Sequence, residues 1–271
     1  MTWKIIIKEL LRIFNMKPKV LILSGYGLNR ENDAVYAWEK AKATVEIVHV
    51  NDLIDYRKKL DDYQIFMIPG GFSYADETGS GNALANKIKY NLGGQLIKFI
   101  NDGKLVLGVC NGFQVLVNLG LLPGIDGDYE SRRVALQYNA SARLQCRWVY
   151  IRNQSKKCVF TKGIKDIIFC PVAHGEGNLY TDKKTLKILK DNDQIVFRFV
   201  NENGSPAKGK FPINPNGALE DITGICDSTG RVLGMMPHAE DAVNLTNLPE
   251  WSTIKKTTGL KIYQNAVNYF K

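Results

Sequence analysis

One cysteine in this chain stands where a nucleophile would. Cys110 ends the apolar run 105–109 and opens a second one, Asn111-Gly112-Phe113-Gln114-Val115-Leu116-Val117. Gly108 and Gly112 flank it two positions away on either side. That is the G-x-nucleophile-x-G spacing of a nucleophile elbow, with sulfur in place of a hydroxyl. Small residues are needed there because a strand turns into a helix within a few residues and leaves no room for a Cβ. The turn lifts the sulfur off the sheet and over a helix N-terminus, where unpaired N–H groups and the helix dipole favour an anionic sulfur. The N–H of Asn111 would then point where an oxyanion develops. A buried structural cysteine at an ordinary βα turn is the competing account of the same residues.

A thiol acting on an acyl group needs a base, a group that orients the base, and oxyanion donors. Of the three histidines, His49 lies in an apolar strand and reads as structural or surface. His174 lies in Pro171-Val-Ala-His-Gly-Glu-Gly177, and His238 in Met235-Met-Pro-His-Ala-Glu240, directly after the last apolar strand. His238 and Glu240 are two apart, so in an extended chain both side chains project to one side. The carboxylate would take one imidazole nitrogen and leave the other for the sulfur. The alternative is a Pro-His turn with a surface glutamate. Pro69-Gly70-Gly71 offers a backbone N–H unhindered by side chains, able to complete an oxyanion hole with Asn111, although such Gly-rich turns are common. Gly25-Tyr26-Gly27 is no dinucleotide fingerprint, because position 30 is Arg.

The elements that must carry these residues follow from periodicity. Strands are predicted at 19–23, 45–50, 64–68 and 105–109, with helices at 31–43 and 83–101, the latter weakened by Gly93-Gly94. Strands alternating with helices imply a parallel sheet covered on both faces. From about Arg132 to Ile225 the pattern changes to short, antiparallel strands, with candidates at 147–152, 167–170 and 194–200. A last strand at 231–236 and an amphipathic helix within 257–270 close the chain. In an open α/β sheet, sites lie at the carboxyl ends of strands, and Cys110 and His238 each follow one directly. One domain over 19–271, with an antiparallel elaboration in its second half, fits better than two.

Hydrophobic residues at 45% and charged residues at 23% are globular values, and no apolar run reaches membrane-spanning length. Residues 1–18 read as an N-terminal extension. Lys4, Lys8, Glu9 and Arg12 interrupt its apolar residues, which argues against a secretory signal and leaves an amphipathic helix or a start at Met16. A net charge of +9 without a dense basic block reads as a lysine-rich surface rather than a nucleic-acid site. Five widely spaced cysteines without C-x-x-C indicate a reducing cytoplasm, not a disulfide framework. Cys146, Cys158, Cys170 and His174 match no common zinc spacing.

Together the elbow, the Pro-Gly-Gly loop and His-x-Glu resemble the class I (triad) glutamine amidotransferases. Cys-Asn-Gly-Phe-Gln at 110–114 and Gly-Gly-Phe-Ser-Tyr at 70–74 with Asp76 are similar to the purine-biosynthesis branch of that family. So are Asn139, Ser141, Arg143, Arg147 and Trp148, the 171–177 motif, Asn-Pro-Asn-Gly at 214–217, and Gly-Arg-Val-Leu-Gly-Met-Met-Pro-His at 230–238. The resemblance runs from about Lys19 to Glu240, weakens in the C-terminal helix and leaves out the first fifteen residues. It implies an α/β fold, a mostly parallel, flavodoxin-like open sheet flanked by helices. It implies Cys110 as the nucleophile on the glutamine amide, His238 as proton relay, Glu240 as its orienter, and the Gly71 and Asn111 N–H groups as the oxyanion hole. Gln114 would help hold the substrate and the His174 loop would shape the glutamine pocket. The implied chemistry is hydrolysis of glutamine through a glutamyl thioester. Ammonia would pass to a separate synthetase chain that activates formylglycinamide ribonucleotide with ATP and Mg, with a small third subunit an open question. No cofactor or metal is expected on this chain, nor a nucleic-acid or membrane partner. One departure is Ala239, where the family usually has Pro. Another amidotransferase, a free-standing Cys hydrolase and a silent regulatory subunit are the competing functions.

Overall fold

A computed structural model describes residues 17–271, so the expected N-terminal extension, with the candidate start at Met16, lies almost wholly outside the described residues. The first half alternates as expected: β1 (Lys19–Ser24), α1 (Glu31–Lys40), β2 (Thr44–His49), α2 (Val50–Ile54), β3 (Ile65–Ile68), α3 (Asn82–Asn101), β4 (Leu105–Val109) and α4 (Asn111–Leu119). Then follow β5 (Ala135–Tyr138), β6 (Gln145–Asn153), β7 (Ile168–His174), β8 (Glu176–Tyr180), α5 (Lys183–Asp191), β9 (Ile195–Val200), β10 (Ile222–Cys226), β11 (Val232–Met235) and α6 (Leu260–Asn268).

Nine of these strands form one sheet, in the order β2-β1-β3-β4-β11-β10-β9-β6-β7. The five strands from β2 to β11 are parallel, and the rest add antiparallel from β10 outward. The antiparallel elaboration therefore extends the same sheet, with β5 and β8 as a separate ribbon. Every residue of β3, β4 and β11 is buried, as strands covered on both faces require.

Three elements differ from the periodicity reading. Val50, expected to end the second strand, instead opens the short helix α2, whose start the His49 ring caps by accepting from Asn51 N–H. The first helix stops at Lys40 because Lys42 takes a left-handed conformation, φ 74°, that turns the chain into β2. Helix α5 falls where only short strands were expected. Its start signal is in the sequence: the Asp182 carboxylate accepts from the N–H groups of Lys184 and Thr185.

The feature that positions the site is the register of three neighbours. Ile68 of β3 pairs with Gly108 of β4, and Val109 pairs with Met235 of β11. The chain therefore leaves all three strands at one level, which brings Gly70, Cys110 and His238 to the same end of the sheet. Helix α4 packs on that junction closely enough that a Cβ on Gly112 would lie 1.9 Å from the Ile68 carbonyl oxygen. Gly93 and Gly94, on α3, face open space instead. Gly112→Ala is expected to destabilise the fold by about 1–3 kcal/mol through overpacking, whereas Gly93→Ala should stabilise it by about 0.5–1 kcal/mol through helix propensity. Urea unfolding of both variants checks this pair of opposite signs.

Candidate active site

Cys110 joins β4 to α4 with φ 53° and ψ −110°, a conformation L residues avoid. Three bonds hold it there. Its N–H donates to Met235 O at 2.8 Å, and its carbonyl accepts from Phe113 and Gln114 at 3.0 and 3.1 Å. The side chain is buried, and its S–H reaches weakly toward Ala173 O on β7. A Cβ on Gly70 would lie 2.7 Å from His238 Cε1 and 3.5 Å from Cys110 Cβ, so the loop after β3 is wedged between the two side chains.

His238 follows β11 and anchors its own N–H on Pro171 O at 2.8 Å. The chain does not run extended from there to Glu240, as a two-residue spacing suggested. A 3-10 turn over Ala239–Ala242 begins at once, and it folds the carboxylate back so that Glu240 Oε1 meets His238 Nδ1 at 2.6 Å. Both side chains are buried. Burial works against an imidazolium here, but the Glu240 charge, followed by the charge and hydrogen bond of Cys110, outweighs it and holds His238 well above the usual histidine range. Burial likewise opposes the Glu240 anion, and the His238 charge and hydrogen bond still keep that carboxylate below its ordinary value. With Nδ1 committed to the carboxylate, Nε2 is the nitrogen left for the sulfur.

Gly71 forms a bridge with Leu28 whose two hydrogen bonds are made by its neighbours: Asn29 N–H to Gly70 O, and Phe72 N–H to Gly27 O. Its own N–H has no protein acceptor among the described residues, and neither has that of Asn111. Gly71 has φ 148°, and a Cβ there would lie 2.6 Å from Gly27 O, so no other residue fits. The Asn111 side chain ties the two donors together. It accepts from Ser73 N–H and donates to Gln114 Oε1 and Asp76 Oδ1. Gln114 in turn donates to Glu176 O at 2.6 Å, so both ends of its amide are held inside the protein.

His174, at the end of β7, is buried, and neither ring nitrogen has a hydrogen-bond partner among the described residues. Burial, with the nearby His238 charge adding to it, pushes its pKa down to about 3, which keeps the ring neutral. His49 is structural: its Nδ1 accepts from Asn51 N–H at the start of α2. Cys146 faces solvent while Cys158 and Cys170 are buried, so the cysteine–histidine set does not converge. The sequence reading missed Arg30, which pairs with Asp33 and with Asp241 just beyond Glu240. Its partner Asp241 lies 211 positions away, which no local pattern signals. It also missed the hydroxyl of Tyr263, taken only as part of an apolar helix face.

Residues 17–270 match the family described as the CobB/CobQ-like glutamine amidotransferase domain. A relative from Methanococcus maripaludis, named phosphoribosylformylglycinamidine synthase subunit PurQ, is 52% identical over 266 residues, covering 93% of this chain and 97% of its own. A relative of the same name from Treponema denticola is 42% identical, covering 94% of this chain and 99% of its own. Among solved structures, a chain of PurLQS from Thermotoga maritima superposes with a TM-score of 0.71 at 30% identity, covering 94% of this chain and 100% of that one.

The two buried histidines should act on stability with opposite signs. His238, raised, contributes stability that is present below the unfolded pKa and lost as pH rises through its folded value. His174, lowered to about 3, withholds a proton that the unfolded chain takes up below the ordinary histidine value of 6.5, so stability falls as pH drops from there. Replacing His174 with Gln should therefore remove about 2 kcal/mol of the destabilisation that develops between pH 7 and pH 5. Urea unfolding of both proteins at the two pH values measures the difference.

Proposed function

The chain belongs to the CobB/CobQ-like glutamine amidotransferase family, and on that premise we propose that it is the glutaminase subunit of phosphoribosylformylglycinamidine synthase, acting through Cys110. The observation that carries this reading is the meeting of a strained elbow cysteine with a buried His238–Glu240 pair, beside two backbone N–H groups with no protein acceptor among the described residues.

The thiolate of Cys110 attacks the side-chain amide carbon of glutamine. The oxygen becomes an anion, and the N–H groups of Gly71 and Asn111 accept that charge without reorganising, because Asn111 and the loop at Ser73 are already bonded together. His238 gives its proton to the departing nitrogen, and ammonia leaves. A glutamyl thioester remains on Cys110. Water, deprotonated by His238, attacks the thioester and releases glutamate. Glu240 keeps the imidazole in the tautomer and orientation both halves require. Gln114 serves the substrate at one remove, by holding Asn111. The neutral ring of His174 lines the glutamine pocket with its two unpartnered nitrogens.

Ammonia is the useful product. It goes to a separate synthetase subunit that converts formylglycinamide ribonucleotide to the amidine, and the ATP and Mg for that step belong to the synthetase. A third, small subunit is inferred by analogy with PurLQS, the assembly named for the Thermotoga maritima structure. Five unpaired cysteines accord with a reducing, cytoplasmic setting.

Intact-mass labelling with an electrophilic glutamine analogue tests the reading, on wild type and Cys110→Ser, with and without the candidate synthetase. One adduct per chain is expected in wild type, blocked by glutamine and absent in the variant, with glutamine hydrolysis down about a thousandfold or more. An adduct that persists in Cys110→Ser, or none under either condition, would move the chemistry off this cysteine and favour a silent subunit.

A further inference from the structure

Glu240 has two carboxylate oxygens, and the proposed reaction uses one. Oε1 meets His238 Nδ1, while Oε2 accepts the hydroxyl of Tyr263, from α6, at 3.3 Å. Tyr263 is fully buried, and burial together with the Glu240 charge keeps its phenol well above the usual range, so it stays a donor. The ring is placed independently of that bond. It packs edge-on against Trp38, centroids 4.9 Å apart, and the Trp38 indole N–H is itself held by Met67 Sδ at 3.0 Å.

The helix that carries Tyr263 is seated against the turn that carries Glu240. Gly259 N–H donates to Ala242 O, and a Cβ on Gly259 would lie 2.2 Å from Ala239 O. The outer side of the helix is fixed by Asn265, whose amide donates to Phe160 O and Lys162 O, both at 2.9 Å. Arg30, whose charge also acts on Glu240, is turned to Asp33 and Asp241 and makes no hydrogen bond to Glu240. The tyrosine hydroxyl is therefore the one side-chain donor on the far oxygen of the carboxylate among the described residues.

We propose that Tyr263 is a positioning residue of the site, through which the C-terminal helix holds the Glu240 carboxylate in line with the His238 imidazole. This rests on the reading of Cys110, His238 and Glu240 as a triad. A donor on a buried anion also spreads its charge; without the donor the carboxylate becomes a stronger base. His238 then holds its proton more tightly and is a weaker acid when the departing nitrogen must be protonated. The other titratable groups around the pair are Cys110 and His174 on the substrate side, Cys170 on β7, and Arg30, Asp33 and Asp241 at the outer edge. Tyr263→Phe leaves all of them in place and keeps the ring against Trp38.

The test follows alkylation of Cys110 by iodoacetamide across pH on the full chain, read by peptide mass, with exposed Cys146 as internal standard. Loss of the imidazole proton produces a step in the Cys110 profile, identified as the step that His238→Gln removes. In Tyr263→Phe that step should move to higher pH by about 0.5–1 unit. Glutamine hydrolysis with the synthetase present should fall about fivefold in kcat, with KM nearly unchanged. Trp38→Phe, which loosens the packing but keeps the hydroxyl, should leave the step where it is. An unmoved step in Tyr263→Phe overturns the proposal, whatever happens to stability. If His238→Gln leaves the wild-type profile intact, it is the triad reading that fails instead.

Discussion

Everything at the candidate site depends on how closely α4 can approach β3. Gly112 lies so near the Ile68 carbonyl that no side chain can stand between them. That contact lets the helix begin one residue after Cys110 and forces the cysteine into its left-handed backbone conformation. Strain of this kind costs about 1–3 kcal/mol and persists only where the surroundings over-determine it. Here the surroundings are the Met235 carbonyl on one side and the first turn of α4 on the other. The same parallel register that supplies Met235 also sets Gly70 and His238 beside the sulfur.

The second governing constraint is electrostatic. A buried carboxylate or imidazolium alone would be driven to its neutral form. Together, at 2.6 Å, each keeps the other charged. His174 shows what happens without such a partner. It sits near His238 in the same buried region, is paired with no carboxylate among the described residues, and is held neutral. Two buried histidines are thus pushed in opposite directions, and the difference is the Glu240 carboxylate, with the Cys110 sulfur adding to it.

The antiparallel half of the sheet does more than lengthen it. β7 receives the His238 N–H on Pro171 O, lies under the sulfur through Ala173 O, and ends in His174. Asn139, beyond β5, donates to His174 O and accepts from Gly177 N–H, while Gln114 reaches Glu176 O from α4. The parallel strands present the reactive groups, and the antiparallel ones wall the space above them.

Much of this was legible in the residues themselves. Apolar runs bounded by Gly and Pro located β1, β3, β4 and β11, β-branched residues located β2, and the spacing around Cys110 located the elbow, because strand pairing and tight turns impose local periodicity and local side-chain size. Even α5 carried a readable signal in Asp182, overlooked beside the strand-like pattern around it. What the sequence by itself determined was therefore the type of each reactive group and the strand end it occupies. Only the tertiary structure decided which groups meet: the turn that folds Glu240 back onto His238, the pairing of Arg30 with Asp241, the neutral burial of His174, and the tyrosine of the last helix on the far oxygen of the acid. Those contacts join residues far apart in the chain or reverse the local direction, and they exist because packed layers exclude water and leave each buried charge a single place to find its partner.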